Sequence, residues 1–285
     1  MWEQRYGALM PARTEGNTRY YDGDQLRRLL NIVSLMNTGK KISQIGPLTD
    51  EELFTLVNKE THAISEHGNS AEYFISQLVT ACLTYNESYF EKMFSSAIVR
   101  YGLKDMYVQI IYPLLQRIGM MWAGNSLPPP NEHFIVNLIR QKICSAVDAL
   151  PPATIRNEKW ILFLPEGEYH EIGLLLANFL VRKSGRNTIY LGPDVPLSGI
   201  EHALASTHPT HLLTFIVHKD SPEFTSSFLH ALHRHFRGDT AYIAIEKEAF
   251  EEVDAPKIFV PVYDVEQLLQ FLGAKKNKRS KVSGI

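Results

Sequence analysis

The stretch Leu164-Pro-Glu-Gly-Glu-Tyr-His170-Glu-Ile-Gly173 lies between two apolar runs of different length and spacing. The run before it, Trp160–Leu164, has the length of a buried strand, and the run after it, Leu174–Val181, has helical length and spacing. A histidine at such a strand-to-helix turn lies at the carboxyl edge of a sheet, where open α/β folds bind ligands. The stretch therefore predicts an α/β domain with His170 at its ligand-binding edge.

The residues around this histidine are suited to hold a metal-bound ligand. Glu168 comes two residues before His170, and Gly173 comes three residues after it. A carboxylate can accept the second ring N–H of a metal-bound imidazole and orient it. A glycine lets a bulky ligand approach the backbone closely. The alternative is a polar loop with a surface histidine, and these residues alone leave both interpretations open.

Four further apolar runs follow with the length of strands: Thr188–Leu191, Leu212–Val217, Tyr242–Ile245 and Ile258–Val262. Helical stretches lie between them. Alternating strands and helices predict a parallel sheet covered by helices, here over residues 157–273.

The composition of the 285-residue chain indicates two or three packed domains. The hydrophobic content is 45 % and the net charge is −2, so the chain is not basic throughout. No apolar run reaches the roughly 18 residues of a membrane span, and no signal peptide precedes the first polar residues. Cys82 and Cys144 lie in apolar helical patterns, which predicts buried free thiols in a reducing compartment. We expect a cytoplasmic protein that does not contact membranes.

Residues 70–152 carry apolar stripes at the spacing of four helices, which predicts a helical bundle. Pro113 is expected to bend the third helix. Trp122 comes at the end of that helix, a Pro-rich loop follows, and Glu132-His133 open the next helix. Spacing alone favours a core tryptophan and a glutamate that complements the helix N-terminus.

The first 46 residues combine arginines with aromatic and amide side chains, which are common phosphate contacts in DNA-binding modules. From composition alone, a solvated loop is equally compatible. The order of residues is more specific, because Trp2-Glu-Gln-Arg-Tyr-Gly7, Pro11-Ala-Arg-Thr14 and Arg19-Tyr-Tyr21 precede a helix that starts near Asp24. This order resembles the MerR family of winged helix-turn-helix regulators.

The resemblance implies a DNA-binding head whose wing contains the Arg-Thr and Arg-Tyr-Tyr motifs. It implies DNA contacts from seven side chains: Arg5, Tyr6, Arg13, Thr14, Arg19, Tyr20 and Tyr21. In the family, a first helix and most of the recognition helix precede the Trp-Glu-x-Arg-Tyr-Gly motif. We therefore expect an N-terminally truncated chain that binds DNA poorly, and a full-length parent that binds DNA well.

The spacing of Trp122, nine residues and then Glu132-His133 resembles light-responsive, cobalamin-binding MerR regulators of the CarH and LitR type. The resemblance implies that Trp122 covers the upper axial group of the corrin and that Glu132 contacts its adenosine. It implies that His133 takes the upper cobalt position after photolysis. The implied cofactor is adenosylcobalamin or methylcobalamin, and the implied assembly is a homodimer or homotetramer.

The third domain resembles the flavodoxin-like (Rossmann-like) cobalamin-binding domain. The fingerprint of that domain is an acidic residue, one residue, His, two residues and Gly, which Glu168, His170 and Gly173 match. The match implies that His170 is the lower axial ligand of cobalt and displaces the nucleotide base. Imidazole nitrogen is a suitable donor for this metal.

The downstream part of that fingerprint is not kept. The family has Ser-x-Leu near the end of the third strand, where Thr214 offers the hydroxyl in place of serine. The family's Gly-Gly pair after the fourth strand is replaced here by Ile245-Glu246. Overfilling a pocket costs about 1–3 kcal/mol, and a buried uncompensated carboxylate costs more. These departures predict weakened or lost cobalamin binding, while His170 remains.

The predicted fold therefore has several domains, of the α and α/β classes. They are a partial winged helix-turn-helix, a four-helix bundle and a flavodoxin-like parallel-sheet domain. The expected boundaries are a head at 1–46, a linker at 47–69, a bundle at 70–152, an α/β domain at 157–273 and a basic tail at 274–285.

Three functions stay open. The first is a DNA-binding transcriptional regulator that senses cobalamin, and senses light through adenosylcobalamin. The second is a regulator with a degenerate site, which binds no corrinoid and serves dimerisation or another ligand. The third is a corrinoid shuttle for methyl transfer, which has no use for the wing motifs. We rank them in this order, and the first two predict that the chain is not an enzyme.

Overall fold

The computed structural model divides the chain into two compact units, Met1–Ile139 and Arg140–Ile285. The residues that the structure describes are 6–13, 19–20, 23–37, 39–53, 55–56, 71–124, 127–217 and 221–273. The predicted tail at 274–285 and most of the predicted linker lie outside the described residues.

The head of the first unit contains a two-stranded antiparallel ribbon and two helices: β1 (Ala12–Arg13), β2 (Arg19–Tyr20), α1 (Gly23–Asn37) and α2 (Ile42–Ile45). Its core consists of five buried side chains: Ala8, Ile32, Leu35, Ile45 and Leu53. The guanidinium of Arg28 donates to three backbone carbonyls at 2.7–2.8 Å and to one carboxylate at 2.6 Å: Ala8, Gly46, Leu48 and Asp50. Arg28 is therefore a structural residue that holds these segments on α1.

The rest of the first unit is helical: α3 (Ala71–Leu83), α4 (Glu87–Met106), a π-helical turn (Tyr107–Ile111), α5 (Tyr112–Ala123) and α6 (Pro129–Asp148). The side chain of Asn86 accepts a hydrogen bond from the Tyr89 N–H at 2.9 Å and caps α4. Gly102 interrupts α4 with a φ of +68°. The last helix, α6, continues into the second unit.

Just before Pro113, where the sequence predicts a bend, the helical hydrogen bonding changes. A proline has no N–H to donate, so the regular pattern fails at that position. The turn Tyr107–Ile111 just before it is π-helical, and the Tyr112 N–H donates to the Tyr107 carbonyl. π-Helical turns of this kind relieve an irregularity without ending the helix.

The second unit alternates strands and helices: β3 (Ile155–Pro165), α7 (Glu171–Lys183), β4 (Arg186–Val195), α8 (Leu197–Thr207), β5 (His211–Phe215), α9 (Pro222–His235), β6 (Thr240–Ala244), α10 (Lys247–Glu251), β7 (Phe259–Val262) and α11 (Val265–Phe271). The five strands are parallel and lie in the order β4-β3-β5-β6-β7. This is the flavodoxin-like order, so the predicted fold class is confirmed.

The order of the strands reverses between β3 and β5. From β3 the chain moves to β4 on one side, and then returns to β5 on the other side. The crossovers leave these two neighbouring strands in opposite directions, which opens a crevice at their carboxyl ends. The loop that carries His170 follows β3, so it lies at this switch point.

Two predictions from composition have different outcomes. Both cysteines are free, but only Cys82 is buried, and Cys144 is exposed on α6. The prediction that Cys144 is buried is therefore wrong, because the apolar spacing of α6 does not show which face is covered. Among the described residues, no helix is long and apolar enough to cross a membrane.

Candidate functional site

His170 is held by the carboxylate that precedes it by two residues. Its ring nitrogen Nδ1 lies 2.6 Å from Oε1 of Glu168, and its backbone N–H donates to the same oxygen at 3.0 Å. The imidazole is 56 % exposed, whereas the Glu168 side chain is only 5 % exposed. A buried carboxylate that accepts the Nδ1 proton fixes the tautomer, so the lone pair is on Nε2.

Glu168 also connects the loops after two neighbouring strands. Its second oxygen, Oε2, accepts a hydrogen bond from the Val217 N–H at 3.2 Å, two residues beyond β5. Its backbone carbonyl accepts from the Asp194 N–H at 3.1 Å, near the end of β4. The carboxylate that orients His170 is thus fixed from both sides of the switch point.

The helix that starts directly after His170 has its own anchor. The carboxylate of Glu171 is nearly buried and lies 2.8 Å from Nε of Arg140. The hydroxyl of Tyr190 donates to the same carboxylate at 2.9 Å. Burial, followed by the charge of Glu171, raises the pKa of Tyr190 far above its usual range, so its phenol stays a donor. These bonds fix the start of α7, which carries Gly173 in its first turn.

Thr214 places a polar group inside the sheet domain without a protein partner. Its side chain is fully buried on β5, and its hydroxyl has no hydrogen bond to any residue that the structure describes. A buried hydroxyl without a partner costs about 1–3 kcal/mol, so such a group calls for an explanation. A bound ligand that accepts or donates a hydrogen bond would satisfy it.

The two residues in place of the Gly-Gly pair behave differently from one another. Ile245 is buried and belongs to the core of the sheet domain. Glu246 is exposed at the start of α10, so the expectation of a buried, uncompensated carboxylate is wrong. The expected cost of the missing glycines is therefore limited to the volume of the isoleucine side chain.

The carboxyl edge of the sheet also exposes apolar side chains. Four large hydrophobic residues of the second unit are more than 40 % exposed, and all follow the carboxyl ends of strands: Tyr169, Val217, Phe224 and Tyr263. Exposed apolar groups gathered at one edge are typical of a ligand or interaction surface. All four follow the carboxyl ends of strands, as the loop that carries His170 does.

In the first unit, the residues predicted to act on the upper axial side lie at the ends of α5 and α6. Trp122 is 50 % exposed, so the interpretation as a core tryptophan is wrong. Glu132 lies in the first turn of α6, where a carboxylate complements the helix dipole, and His133 is exposed beside it. Burial first, and then the charge of Glu132, raises the pKa of Cys82 to about 12.

Asn131 fixes the start of α6, and sequence reasoning missed it. Its side-chain amide donates to the Cys82 carbonyl at 2.8 Å, and its backbone carbonyl accepts from the Cys82 thiol at 3.2 Å. The Tyr85 hydroxyl donates to its Oδ1 at 3.0 Å. An asparagine directly before Glu132-His133 was the available signal, but its partners lie 46 to 49 residues away along the chain.

The structure describes the predicted DNA contacts only in part. Arg5, Thr14 and Tyr21 lie outside the described residues, and for Arg13, Arg19 and Tyr20 the structure describes the backbone of the β1–β2 ribbon. Tyr6 is half-buried and packs against the hydrophobic core of the head. The ribbon has the antiparallel pairing that a wing requires.

Comparisons with known proteins match two stretches of the chain to family models. Residues 1–52 match the MerR HTH family regulatory protein model, and residues 75–144 match the B12 binding domain model. The HTH-type transcriptional repressor CarH of Myxococcus xanthus is 25 % identical over 226 residues, which cover 78 % of this chain and 75 % of that protein. The repressor CarA of the same organism is 26 % identical over 229 residues, which cover 80 % and 74 %.

A solved structure supports the fold. The monomethylamine corrinoid protein of Methanosarcina barkeri is similar to this chain with a TM-score of 0.57 and 15 % identity. The similarity covers 72 % of this chain and 99 % of that protein. At this identity, the similarity shows the fold alone.

Proposed function

We propose that this chain is a DNA-binding transcriptional regulator that senses cobalamin. It belongs to the MerR-type regulators with a B12 binding domain. The relatives it resembles over three quarters of its length are transcriptional repressors. We infer that the chain itself has no enzymatic role.

The observation that carries the proposal is the Glu168–His170 pair at the switch point of the sheet. Among the described residues, no group of three or more His, Cys, Asp or Glu could hold a metal ion. A single exposed imidazole therefore suits a metal that brings its other ligands with it, such as cobalt in a corrin ring. The 2.6 Å bond to Glu168 supplies the orientation that a metal-bound histidine requires.

The other candidate residues have distinct roles in this proposal. Gly173, in the first turn of α7, would let the corrin approach the backbone, and the Thr214 hydroxyl, which has no described partner, would bind the nucleotide tail in place of serine. Trp122, Glu132 and His133 act on the upper axial side, as the family resemblance implies. Bound adenosylcobalamin or methylcobalamin supplies a light-sensitive cobalt–carbon bond, which is chemistry of the cofactor and not of the protein.

Regulation follows if the loaded and unloaded forms differ in assembly or in DNA affinity. A cofactor can shift such an equilibrium only by the difference in its affinity for the two forms. We propose a homodimer or homotetramer whose assembly depends on the cobalamin that is bound. The DNA contacts would come from the wing and from the residues before it: Arg5, Tyr6, Arg13, Thr14, Arg19, Tyr20 and Tyr21.

The test is an absorption spectrum of the purified chain after incubation with adenosylcobalamin in the dark, repeated after illumination. We expect a retained red chromophore, and a spectral change on illumination. His170→Ala should weaken binding by about 100-fold or more, because it removes the proposed lower ligand of cobalt. His202→Ala, at an exposed histidine of the same unit, is the matched control and should bind as the unmodified chain does. Equal binding by the unmodified chain and His170→Ala would contradict the proposal.

A regulator that no longer binds corrinoid is the second candidate, and Ile245 is the observation that favours it. This side chain fills the core where the family has glycine. Ile245→Gly separates the candidates, because it should restore binding only if the isoleucine blocks the nucleotide tail. No corrinoid uptake by either protein would favour a site used for another ligand.

A further inference from the structure

The residue Asp194 lies at an irregularity of β4 beside the loop of His170. Phe163 pairs with Gly192, but two residues later Pro165 pairs with Val195, so β4 contains one extra residue between these pairs. Asp194 lies in this bulge and has a φ of +55°, the left-handed region. Bulges often occur next to functional sites, where they redirect a side chain.

Asp194 binds three consecutive residues of the loop that precedes His170. Its carboxylate Oδ1 accepts a hydrogen bond from the Gly167 N–H at 2.9 Å. Its own N–H donates to the Glu168 carbonyl at 3.1 Å. The Tyr169 phenol is placed to donate a hydrogen bond to the carboxylate of Asp194.

The loop, in turn, determines where the orienting carboxylate lies. Glu168 is the middle residue of the three, and its side chain holds Nδ1 of His170. A group bonded directly to a metal-bound histidine, as Glu168 is to His170, changes metal affinity by about 10- to 100-fold when it is removed. Asp194 therefore acts on the imidazole indirectly: it contacts the turn that carries Glu168, and Glu168 contacts His170.

We propose that Asp194 is a positioning residue for His170: it fixes the 167–169 turn on β4 and thereby sets the direction of the imidazole that meets cobalt. The role of the imidazole as cobalt ligand rests on the proposed function. The fixed orientation of the Glu168–His170 pair is a property of the protein alone, so the two can be tested separately.

The left-handed backbone of Asp194 suggests the variants. Asp and Asn adopt this conformation more readily than other residues with a side chain, and Gly adopts it without cost. Asp194→Gly therefore removes the carboxylate without straining the bulge, and Asp194→Asn keeps an oxygen that can accept from Gly167. His208→Gly is the matched control, because His208 is also left-handed, with a φ of +46°, but lies at the end of α8.

The first measurement needs no cofactor. The 15N chemical shifts of the His170 ring in the unloaded protein report which nitrogen carries the proton. The unmodified chain, Asp194→Asn and His208→Gly should show predominantly the Nδ1–H tautomer that Glu168 selects. Asp194→Gly should show a larger share of the other tautomer, because the 167–169 turn loses its bonds to the Asp194 side chain and keeps only the backbone bond to the Glu168 carbonyl. An unchanged tautomer in Asp194→Gly would overturn the proposal, whether or not the chain binds corrinoid.

The second measurement uses diaquocobinamide, a corrinoid without a nucleotide base, so that any lower nitrogen ligand must come from the protein. We expect a spectrum of nitrogen-ligated cobalt in the unmodified chain and in Asp194→Asn. Asp194→Gly should bind more weakly by up to about 10-fold, the lower end of the range for a direct partner of the histidine, and with less of that spectral form. Tyr169→Phe should fall between them, because it removes one of the three bonds. If His170→Ala binds diaquocobinamide as the unmodified chain does, the cobalt-ligand role fails, and the tautomer measurement alone decides the role of Asp194.

Discussion

The carboxyl edge and the amino edge of the sheet in the second unit, which are the two ends of its parallel strands, place similar side chains in different surroundings. At the carboxyl edge, His170 is exposed and held by a carboxylate, and Thr214 on β5 has a buried hydroxyl without a described partner. At the amino edge, His211 is stacked on Trp160 with ring centroids 4.7 Å apart and an angle of 3° between the planes. The hydroxyl of Thr210 contacts Nδ1 of His211 at 2.9 Å.

The amino edge is a structural element in which polar groups have protein partners. Trp160 also stacks on Tyr242 at 5.1 Å, and Glu158 pairs with Arg186. Burial alone would raise the pKa of Glu158, but the hydrogen bond and charge of Arg186 outweigh it and lower the pKa. The two edges therefore differ in what surrounds their polar groups: at the amino edge the imidazole of His211 packs against protein rings, whereas at the carboxyl edge the imidazole of His170 is 56 % exposed.

The largest expected effect is on the amino edge. Trp160→Ala should destabilise the second unit by about 3–5 kcal/mol, because it removes a buried side chain that contacts two rings. Trp160→Phe keeps an aromatic ring in the stack and should reduce the free energy of unfolding much less. Chemical denaturation measures both. A loss below about 1 kcal/mol for Trp160→Ala would show that the stack is not a stabilising element.

Replacing a threonine by valine should have an effect of intermediate size, and the change in the free energy of unfolding should have opposite signs at the two edges. Thr214→Val replaces a buried hydroxyl without a described partner by a methyl group, and should stabilise the unloaded protein by about 1 kcal/mol. The same change should weaken cobalamin binding if the hydroxyl contacts the ligand.

Thr210→Val is the matched control for this pair of edges. The Thr210 hydroxyl accepts from the Lys159 N–H at 2.9 Å and donates to the Lys159 carbonyl at 3.1 Å. Its loss should destabilise the protein by about 1–3 kcal/mol, because the N–H loses its partner. Equal signs for Thr214→Val and Thr210→Val in thermal unfolding would contradict the comparison between the edges.

The smallest effect is a pH dependence from His211. Burial lowers its pKa, and the nearby carboxylates only partly oppose this. The unfolded chain therefore binds the proton of His211 more tightly than the folded chain does. The free energy of unfolding should be unaffected by this group above a pH of about 6.5 and should fall as the pH drops below it. His211→Phe keeps a stacked ring and should remove this step from the unfolding free energy measured against pH. An unchanged pH profile in His211→Phe would assign the step to another group.

Much of the fold follows from local patterns. The apolar run at Trp160–Leu164 is part of β3, and the helical run after Gly173 is α7, because periodicity and chain length distinguish strands from helices. The other four strands also lie where short apolar runs predict them. The motif Glu-x-His fixed a carboxylate two residues from an imidazole, close enough for a hydrogen bond once the loop is folded.

The sequence by itself determined which elements form, which family motifs they carry and which histidine lies at the ligand-binding edge. Only the tertiary structure decided that Val217 and Asp194 hold the Glu168 loop, that the Thr214 hydroxyl lacks a described partner, and that Cys144 is exposed. These contacts join segments 26 to 49 residues apart, as from Glu168 to Asp194 and to Val217. The physical reason is that such bonds depend on strand order and on a bulge in β4, and neither leaves a periodic signal in the chain.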